Sequence, residues 1–349
     1  MTGPLRLGIV GCGRVTIACH SRALRATEAV RVVSLADLDD QRRAQAGSLL
    51  GIDALYRDAA ELLSGVAVDA VGICVPARAH AAVVEEVLAA GRHVLVEKPL
   101  ARTLDDCDHI IRAAASSGLT VAVGLNYRSH PLIREASRIL ATGVLGRLVL
   151  IATSMTNAVL RRPDLPAWVH EDGPSAMFEK GVHHFDLWRF LGGSEVATVR
   201  ALGVTDTDPR DATAGVLARL ESGTICVTGL SGDAGFGHHL TLCGTAESLD
   251  INLEPPRPLQ PAEAGGPRGA TAAALAGLTG WMQESPSTAL TAGSEDNIAS
   301  YTAEWEDFAA AVREGRSPAA TVEDGRAAVG IALAVNRSLF EDPPVPLSP

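Results

Sequence analysis

Two lysines, one histidine and two carboxylates hold the chemistry open to this chain. Of 30 basic residues 28 are arginine, and the two lysines, Lys98 and Lys180, each follow a glutamate. Lysine is a compact charge with three donors and a pKa that its surroundings can move, which arginine does not offer. Lys98 closes the apolar run Val94-Leu95-Val96 in the sequence Glu97-Lys98-Pro99. Glu179, His183 and Asp186 are spaced i, i+4, i+7, so a helix carries them on one face. Their neighbours Val182, Phe185, Leu187, Trp188, Phe190 and Leu191 are apolar, so that helix is mostly buried. A buried acid–base–acid row is expensive unless it is hydrogen-bonded or used. A neutral histidine beside carboxylates is a general base near neutral pH. The other reading is a core histidine satisfied by an ordinary salt bridge, and the spacing alone leaves both open. His184 lies about 100° round the helix from this face, and Lys180 is off it as well.

These residues need elements to bring them together. Residues 5–125 alternate strand and helix, which implies a doubly wound parallel sheet in an α/β fold. The first strand ends in Gly11-Cys12-Gly13-Arg14-Val15-Thr16 and leads into a helical stretch to Arg25. That is the context of a dinucleotide-binding turn, in which Gly11 permits the tight turn and Gly13 lets backbone approach a pyrophosphate. Thr16 stands at the third small position and is expected to push the helix slightly off the sheet. The next strand ends at Asp37, 24 residues after Gly13, where an acid takes the adenine-side ribose hydroxyls. Leu38 follows rather than Arg or Ser, which favours NAD over NADP. Asp37 also reads as the N-cap of the helix beyond it. Pro76, His80, Glu97 and Lys98 lie at or past later strand ends, and ligands of such sheets bind at the carboxyl ends of the strands. The candidate cofactor contacts are therefore Gly11, Gly13, Arg14, Val15, Asp37, Pro76, His80, Glu97 and Lys98.

After Asn126-Tyr127-Arg128 the texture changes. Strands read at 147–153, 196–203, 212–220, 223–230, 238–243 and 247–252, with short turns that imply a largely antiparallel sheet. Residues 255–297 are rich in Pro, Gly and Ala and read as a long loop or insertion. Helices are expected at 298–314 and 323–339. The organisation is a nucleotide-binding domain over 1–126 and a substrate-binding and oligomerisation domain over 127–349. The pair His238-His239 sits on a strand without ligand spacing and reads as structural.

Bulk properties narrow the partners. The chain has 349 residues, a net charge of −11 and 47% hydrophobic residues, which is globular and argues against nucleic acid or an anionic membrane as partner. No apolar run approaches a membrane span. Six scattered cysteines without a Cys-x-x-Cys pair fit reduced thiols and no metal site. Leu5-Arg6-Leu7-Gly8-Ile9-Val10 already reads as a strand, so no leader is expected, and the setting is cytoplasmic.

Taken together, the chain resembles the glucose–fructose oxidoreductase / inositol dehydrogenase / rhizopine-catabolism (Gfo/Idh/MocA) family over residues 5–340. The matching pieces are Gly11-x-Gly13 with His20 beyond it, Asp37, Pro76-x-x-x-His80, Glu97-Lys98-Pro99 and Asn126-Tyr127-Arg128. They continue with Glu179-x-Gly181-x-His183-x-x-Asp186, Tyr301-x-x-Glu304-x-x-x-Phe308 and Asp324-Gly325. The resemblance implies a Rossmann domain followed by an α/β domain with a large, mostly antiparallel open sheet, through which homodimers or homotetramers form. It implies NAD(P)-dependent oxidation of a secondary alcohol of a sugar, cyclitol or amino-sugar derivative, or the reverse reduction. Lys98 would then hydrogen-bond the reacting oxygen and His183 accept its proton. Glu179 would hold a neighbouring hydroxyl or orient His183, and Asp186 would fix the tautomer of His183 or balance its charge. Asn126, Tyr127, Arg128, Trp168 and His170 join Glu179 and His183 as candidate substrate contacts. A cis peptide before Pro99 is implied too. The chain departs from the pattern in having Glu179 where Asp is usual, and Thr16. Two rival readings share the fold: an NAD-dependent ligand sensor without chemistry, and an enzyme that retains its NAD with no net redox change.

Overall fold

The computed structural model describes residues 3–156, 181–204, 213–232, 237–253, 288–291 and 294–341. Six parallel strands make the first sheet: β1 (Leu5–Val10), β2 (Val30–Ala36), β3 (Leu55–Tyr56), β4 (Ala70–Ile73), β5 (His93–Glu97) and β6 (Val121–Gly124). Their order in space is β3-β2-β1-β4-β5-β6, so the winding reverses between β1 and β4. Ligands of open α/β sheets bind outside the strand ends at that reversal. Every residue of β4 and β6 is buried, as expected for strands covered on both faces. The covering helices are α1 (Ser21–Arg25), α2 (Asp40–Leu50), α3 (Ala59–Gly65), α4 (His80–Ala89) and α5 (Leu104–Ser117). Local chemistry sets their ends: Asp39, Asp58 and Thr103 cap the starts of α2, α3 and α5, and Gly51 and Gly118 close α2 and α5 in the left-handed conformation.

The segment before α1 departs from the expected continuous helix. Thr16–His20 forms a π-helical turn, a wider turn than the α-helix. It starts where the dinucleotide fingerprint has its third small residue. Thr16 is fully buried, and its hydroxyl donates to the Gly11 carbonyl at 2.7 Å.

The second sheet is mixed but mostly antiparallel. It contains β7 (Leu148–Thr156), β8 (Val196–Val204), β9 (Thr213–Leu220), β10 (Ile225–Ser231), β11 (Gly237–Gly244), β12 (Ser248–Asn252) and β13 (Thr288–Thr291), in the order β13-β12-β11-β7-β10-β9-β8. The β7–β10 and β12–β13 pairs are parallel and the others antiparallel. Strand β9 alternates exposed and buried residues without exception, so one face packs inward and the other is open. Between β6 and β7 runs α6 (Pro131–Ala141), and α7 (Val182–Gly192) carries His183. The 255–297 stretch is not one loop throughout: Thr288–Thr291 pairs with β12, and α8 (Ser294–Glu314) starts four residues earlier than expected. A four-residue strand is too short to give a readable period.

Helix α8 returns to the first sheet. Trp305 Nε1 donates to His20 Nδ1 at 3.1 Å, and Arg313 Nη2 donates to the carbonyls of Gly3 and Ala29 at 3.1 and 2.7 Å. Helix α9 (Val322–Glu341) packs on α7, β8 and α5. Trp188, Phe185, Trp305 and Phe308 are the largest fully buried side chains of these helices. Among the described residues no helix is long and apolar enough to cross a membrane.

Candidate active site

The site grows from the end of β5. Glu97 is its last residue and is 5% exposed, and the Lys98–Pro99 peptide is cis. The Glu97 side chain turns back into the protein. Its Oε2 accepts from the Lys98 backbone N–H at 3.0 Å, and its Oε1 lies 2.9 Å from His20 Nε2. An indole N–H only donates, so the Trp305 bond leaves the lone pair on His20 Nδ1 and the proton on Nε2, which donates to Glu97. Burial pushes the Glu97 carboxyl up, but the His20 hydrogen bond and the charge of Lys98 hold it below the usual range. Glu97 is thus a fastener for the loop that presents Lys98, not an exposed cofactor contact. His80 is a second fastener. It is 1% exposed, and its ring sits between the Val75 carbonyl at 2.9 Å from Nε2 and the Pro99 and Leu100 carbonyls at 3.0 and 3.2 Å from Nδ1. It ties the ends of β4 and β5 together from below.

The residues fit a dinucleotide. Gly11 has φ +99°, and a Cβ there would meet the Cys74 carbonyl oxygen at 2.4 Å, so only glycine fits. A Cβ on Gly13 would meet nothing within 4 Å, which leaves its backbone open to a ligand. Arg14 is exposed and Val15 and Pro76 half-buried on the same edge. Asp37 is not the N-cap of α2, which is Asp39. Instead Asp37 Oδ2 accepts from the Cys12 backbone N–H at 2.7 Å and Oδ1 from that of Asp39 at 2.8 Å, holding the carboxylate over the glycine turn. Arg43 is committed to the Asp37 carbonyl at 2.6 Å and to Asp40, also at 2.6 Å, and Leu38 stands 74% exposed beside them.

His183 lies in the first turn of α7 and is 8% exposed. The Tyr127 ring meets it edge-on at a centroid distance of 4.6 Å. Burial, then the charge of Lys98, then that of His184, hold the imidazole neutral well below its ordinary range. Lys98 and His183 therefore share one electrostatic environment, although they come from different sheets' elements. Asp186 does not serve His183. Its two oxygens accept from Arg128 Nη2 at 2.6 Å and Nε at 2.8 Å, and no described residue hydrogen-bonds His183 Nδ1. The expectation that Asp186 sets the His183 tautomer is corrected by this pairing, since a bidentate guanidinium is the stronger partner.

Arg128 is likewise engaged by other residues of the protein. It is 9% exposed, and Nη1 also donates to Asp324 and to the Ala319 carbonyl, both at 2.8 Å. Asn126 donates from Nδ2 to Ser300 Oγ at 2.8 Å. Trp168, His170, Glu179 and Lys180 lie outside the described residues. Trp305 is a buried residue that the sequence reading passes over, and Glu304, His184 and His238 are buried residues to which it gives no role in the site. Glu304 is 7% exposed and neither carboxyl oxygen has a hydrogen-bond partner among the described residues. Burial, then the charge of Glu97, push its pKa well up, so it is a neutral acid. The motif Tyr301-x-x-Glu304-x-x-x-Phe308 marks the residue but not its surroundings, because its neighbours come from β5 and the π-turn. Among the described residues no group of three His, Cys, Asp or Glu could hold a metal ion.

Comparison with known proteins bears on the family and the fold. Residues 5–125 match the model of an oxidoreductase family with an NAD-binding Rossmann fold, and residues 133–250 match the GFO/IDH/MocA C-terminal domain. The chain is 30% identical to inositol 2-dehydrogenase 2 of Saccharopolyspora erythraea over 73% of this chain and 75% of that one. It is 26% identical to myo-inositol 2-dehydrogenase of Thermotoga maritima over 97% of both. The crystal structure of a probable dehydrogenase from Thermotoga maritima superposes with a TM-score of 0.79 at 25% identity, covering 97% of each chain.

Proposed function

The chain belongs to the Gfo/Idh/MocA family of NAD(P)-dependent oxidoreductases acting on CH–OH groups, and we propose that it oxidises a secondary alcohol of a cyclitol, sugar or amino-sugar derivative with NAD, or runs the reverse reduction. What supports this reading is that the charge of Lys98, just past the end of β5, acts on the buried His183 of α7 and helps to keep it neutral.

NAD, when bound, supplies the two-electron acceptor. Lys98 donates to the reacting oxygen and stabilises the alkoxide that develops there. His183 takes the hydroxyl proton, for which a neutral imidazole is required. Glu179 holds a neighbouring hydroxyl, and Tyr127, Trp168 and His170 line the remainder of the substrate space. The preference for NAD over NADP is supported by the acid at the end of β2, Asp37, which would repel a 2′-phosphate, and by Arg43, which is already paired. The open face of the second sheet exposes Leu202 (60%), Leu217 (50%) and Ile225 (36%), and we assign it to a homodimer or homotetramer contact.

The test is NADH formation at 340 nm over a panel of myo-inositol, scyllo-inositol, D-glucose and D-glucosamine, with wild-type protein and Lys98→Ala. Lys98→Ala should lower kcat by about 10²–10⁴-fold and leave NADH affinity within a few-fold. Near-normal turnover by that variant would remove Lys98 from the mechanism. Product formation without nicotinamide absorbance change would favour the NAD-retaining reading, and tight NADH binding without any turnover the sensor.

A further inference from the structure

His238 stands on the inward face of β11 and is 2% exposed. The Tyr127 ring meets it edge-on at 4.8 Å, as it meets His183 at 4.6 Å, so one phenol ring bridges two imidazoles. His184 stacks under His238 at 5.0 Å with 28° between the planes. A buried structural histidine is ordinarily hydrogen-bonded. In His238 the Nε2 atom is buried with no partner among the described residues, and the same holds for His183 Nδ1. Thr228 Oγ1, on β10, lies 3.4 Å from Nδ1 of His184. Two imidazoles thus meet one aromatic ring, each with a buried nitrogen that has no partner among the described residues, and one of them is the proposed base.

We propose that His238 is a specificity-determining residue of the substrate site, its ring nitrogen taking a hydroxyl adjacent to the one His183 deprotonates, so that the site selects a vicinal diol. The inference rests on the reading of His183 as the base. A neutral imidazole offers one donor and one acceptor, and an alcohol hydroxyl is both. A vicinal diol therefore satisfies both rings, whereas a mono-ol leaves one ring nitrogen buried and unpaired, which is how sites reject analogues that lack a hydroxyl. Burial, then the charges of His184, His183, His130 and His239, keep His238 neutral well below its ordinary range, so the acceptor is present throughout the neutral range.

The experiment compares wild type, His238→Phe and His238→Gln. Phe keeps a ring against His184 and Tyr127 but has no hydrogen-bonding atoms, and Gln restores a donor and an acceptor. Kinetics with the panel above are paired with calorimetric titration of each polyol into the enzyme–NADH complex. The expected result is that His238→Phe raises KM and Kd for the preferred polyol by about tenfold or more, the loss of one hydrogen bond to a buried group. With kcat within about threefold and NADH affinity unchanged, His238→Gln should recover part of the loss. Unchanged KM and Kd in His238→Phe would overturn the assignment, as would a parallel loss of NADH affinity in both variants, which marks a structural role. If wild type binds a polyol without turning it over, the dehydrogenase reading fails while a weakened Kd in His238→Phe still upholds His238. If wild-type enzyme–NADH binds no member of the panel, both fall.

Discussion

Arg128 grips Asp186 through two hydrogen bonds of 2.6 and 2.8 Å, and in doing so removes from His183 the carboxylate that lies one turn along its own helix. The same guanidinium reaches Asp324 on α9, which also accepts from Arg189 at 3.1 Å. The Asn126-Tyr127-Arg128 segment thus does two jobs. Tyr127 packs on the His183 ring while Arg128 fixes the helix beneath it. Burial drives Asp186 up while Arg128 draws it back, and a guanidinium that keeps its proton holds the pair ionic.

Arg128→Ala takes both hydrogen bonds from the buried Asp186 carboxyl and leaves it only the longer ion pair to Arg189, at 3.7 Å. Removing one partner of a buried pair costs about 3–5 kcal/mol. Urea denaturation should show a loss of that order, and Arg128→Lys, which lacks the fork, an intermediate one. Arg128→Met combined with Asp186→Leu should regain part of it. A loss under about 1 kcal/mol for Arg128→Ala would mean that Asp186 finds another partner.

Acid should weaken the fold before the carboxylates titrate. Burial lowers His184 to about 3 and His130 to about 4, and drives His183 and His238 down as well. Unfolded, each histidine binds a proton near its ordinary value of about 6.5. Below that pH the unfolded chain holds protons that the folded chain refuses, so stability falls as pH falls. The loss runs from about pH 6.5 toward the folded pKa values, at about 1.4 kcal/mol per unit for each buried ring. Unfolding measured between pH 7.5 and 4.5 should show this slope, and His184→Leu should reduce it by one proton. An unchanged slope would show that His184 is already protonated when folded. By the same shift, kcat/KM should keep its neutral-pH value well below 6.5, since His183 remains a base there.

Much of the scaffold is legible because it is local. The alternation of strand and helix over 5–125 and the glycine turn at Gly11 each declare themselves within a few residues, whereas the cap of α2 falls on Asp39 and not on Asp37. Lys98 is legible for the same reason: it follows an apolar strand whose end must lie on the ligand edge. What the sequence hides is partner choice. Asp186 has the spacing to serve His183, and only the fold brings Arg128, 58 residues earlier, to claim it. Likewise His20 and Trp305 are 285 residues apart and form one hydrogen bond. His238 looks inert in a strand of alternating residues until α7 and Tyr127 are packed against it.

The cofactor preference should be movable at two neighbouring positions. Asp37 braces the glycine turn through Cys12 and, on the proposed reading, disfavours a 2′-phosphate, while Leu38 is open to solvent. Leu38→Arg with Asp37→Ser removes the repulsion and adds a guanidinium able to pair with phosphate. The ratio of kcat/KM for NAD to that for NADP should fall by about 10²-fold or more, since two charged contacts change sign at about 1.5–3 kcal/mol each. Equal use of both cofactors by wild type would remove Asp37 as the discriminator.

Glu304 should oppose the histidines. It is buried beside the Glu97–His20 pair, has no hydrogen-bond partner among the described residues, and its pKa is pushed well up by burial and by Glu97. Unfolded, it ionises near its ordinary value of about 4.3. Above that pH the folded chain holds a proton that the unfolded chain has released, so Glu304 subtracts stability as pH rises through neutrality. Glu304→Gln keeps the shape and removes the ionisation. It should therefore stabilise the protein at pH 7.5 relative to wild type, and the gain should vanish as pH approaches 4, where both side chains are neutral. Paired denaturation curves at those two pH values decide the matter. Destabilisation at pH 7.5 would mean that Glu304 is ionised in the fold and holds a cation or donor there.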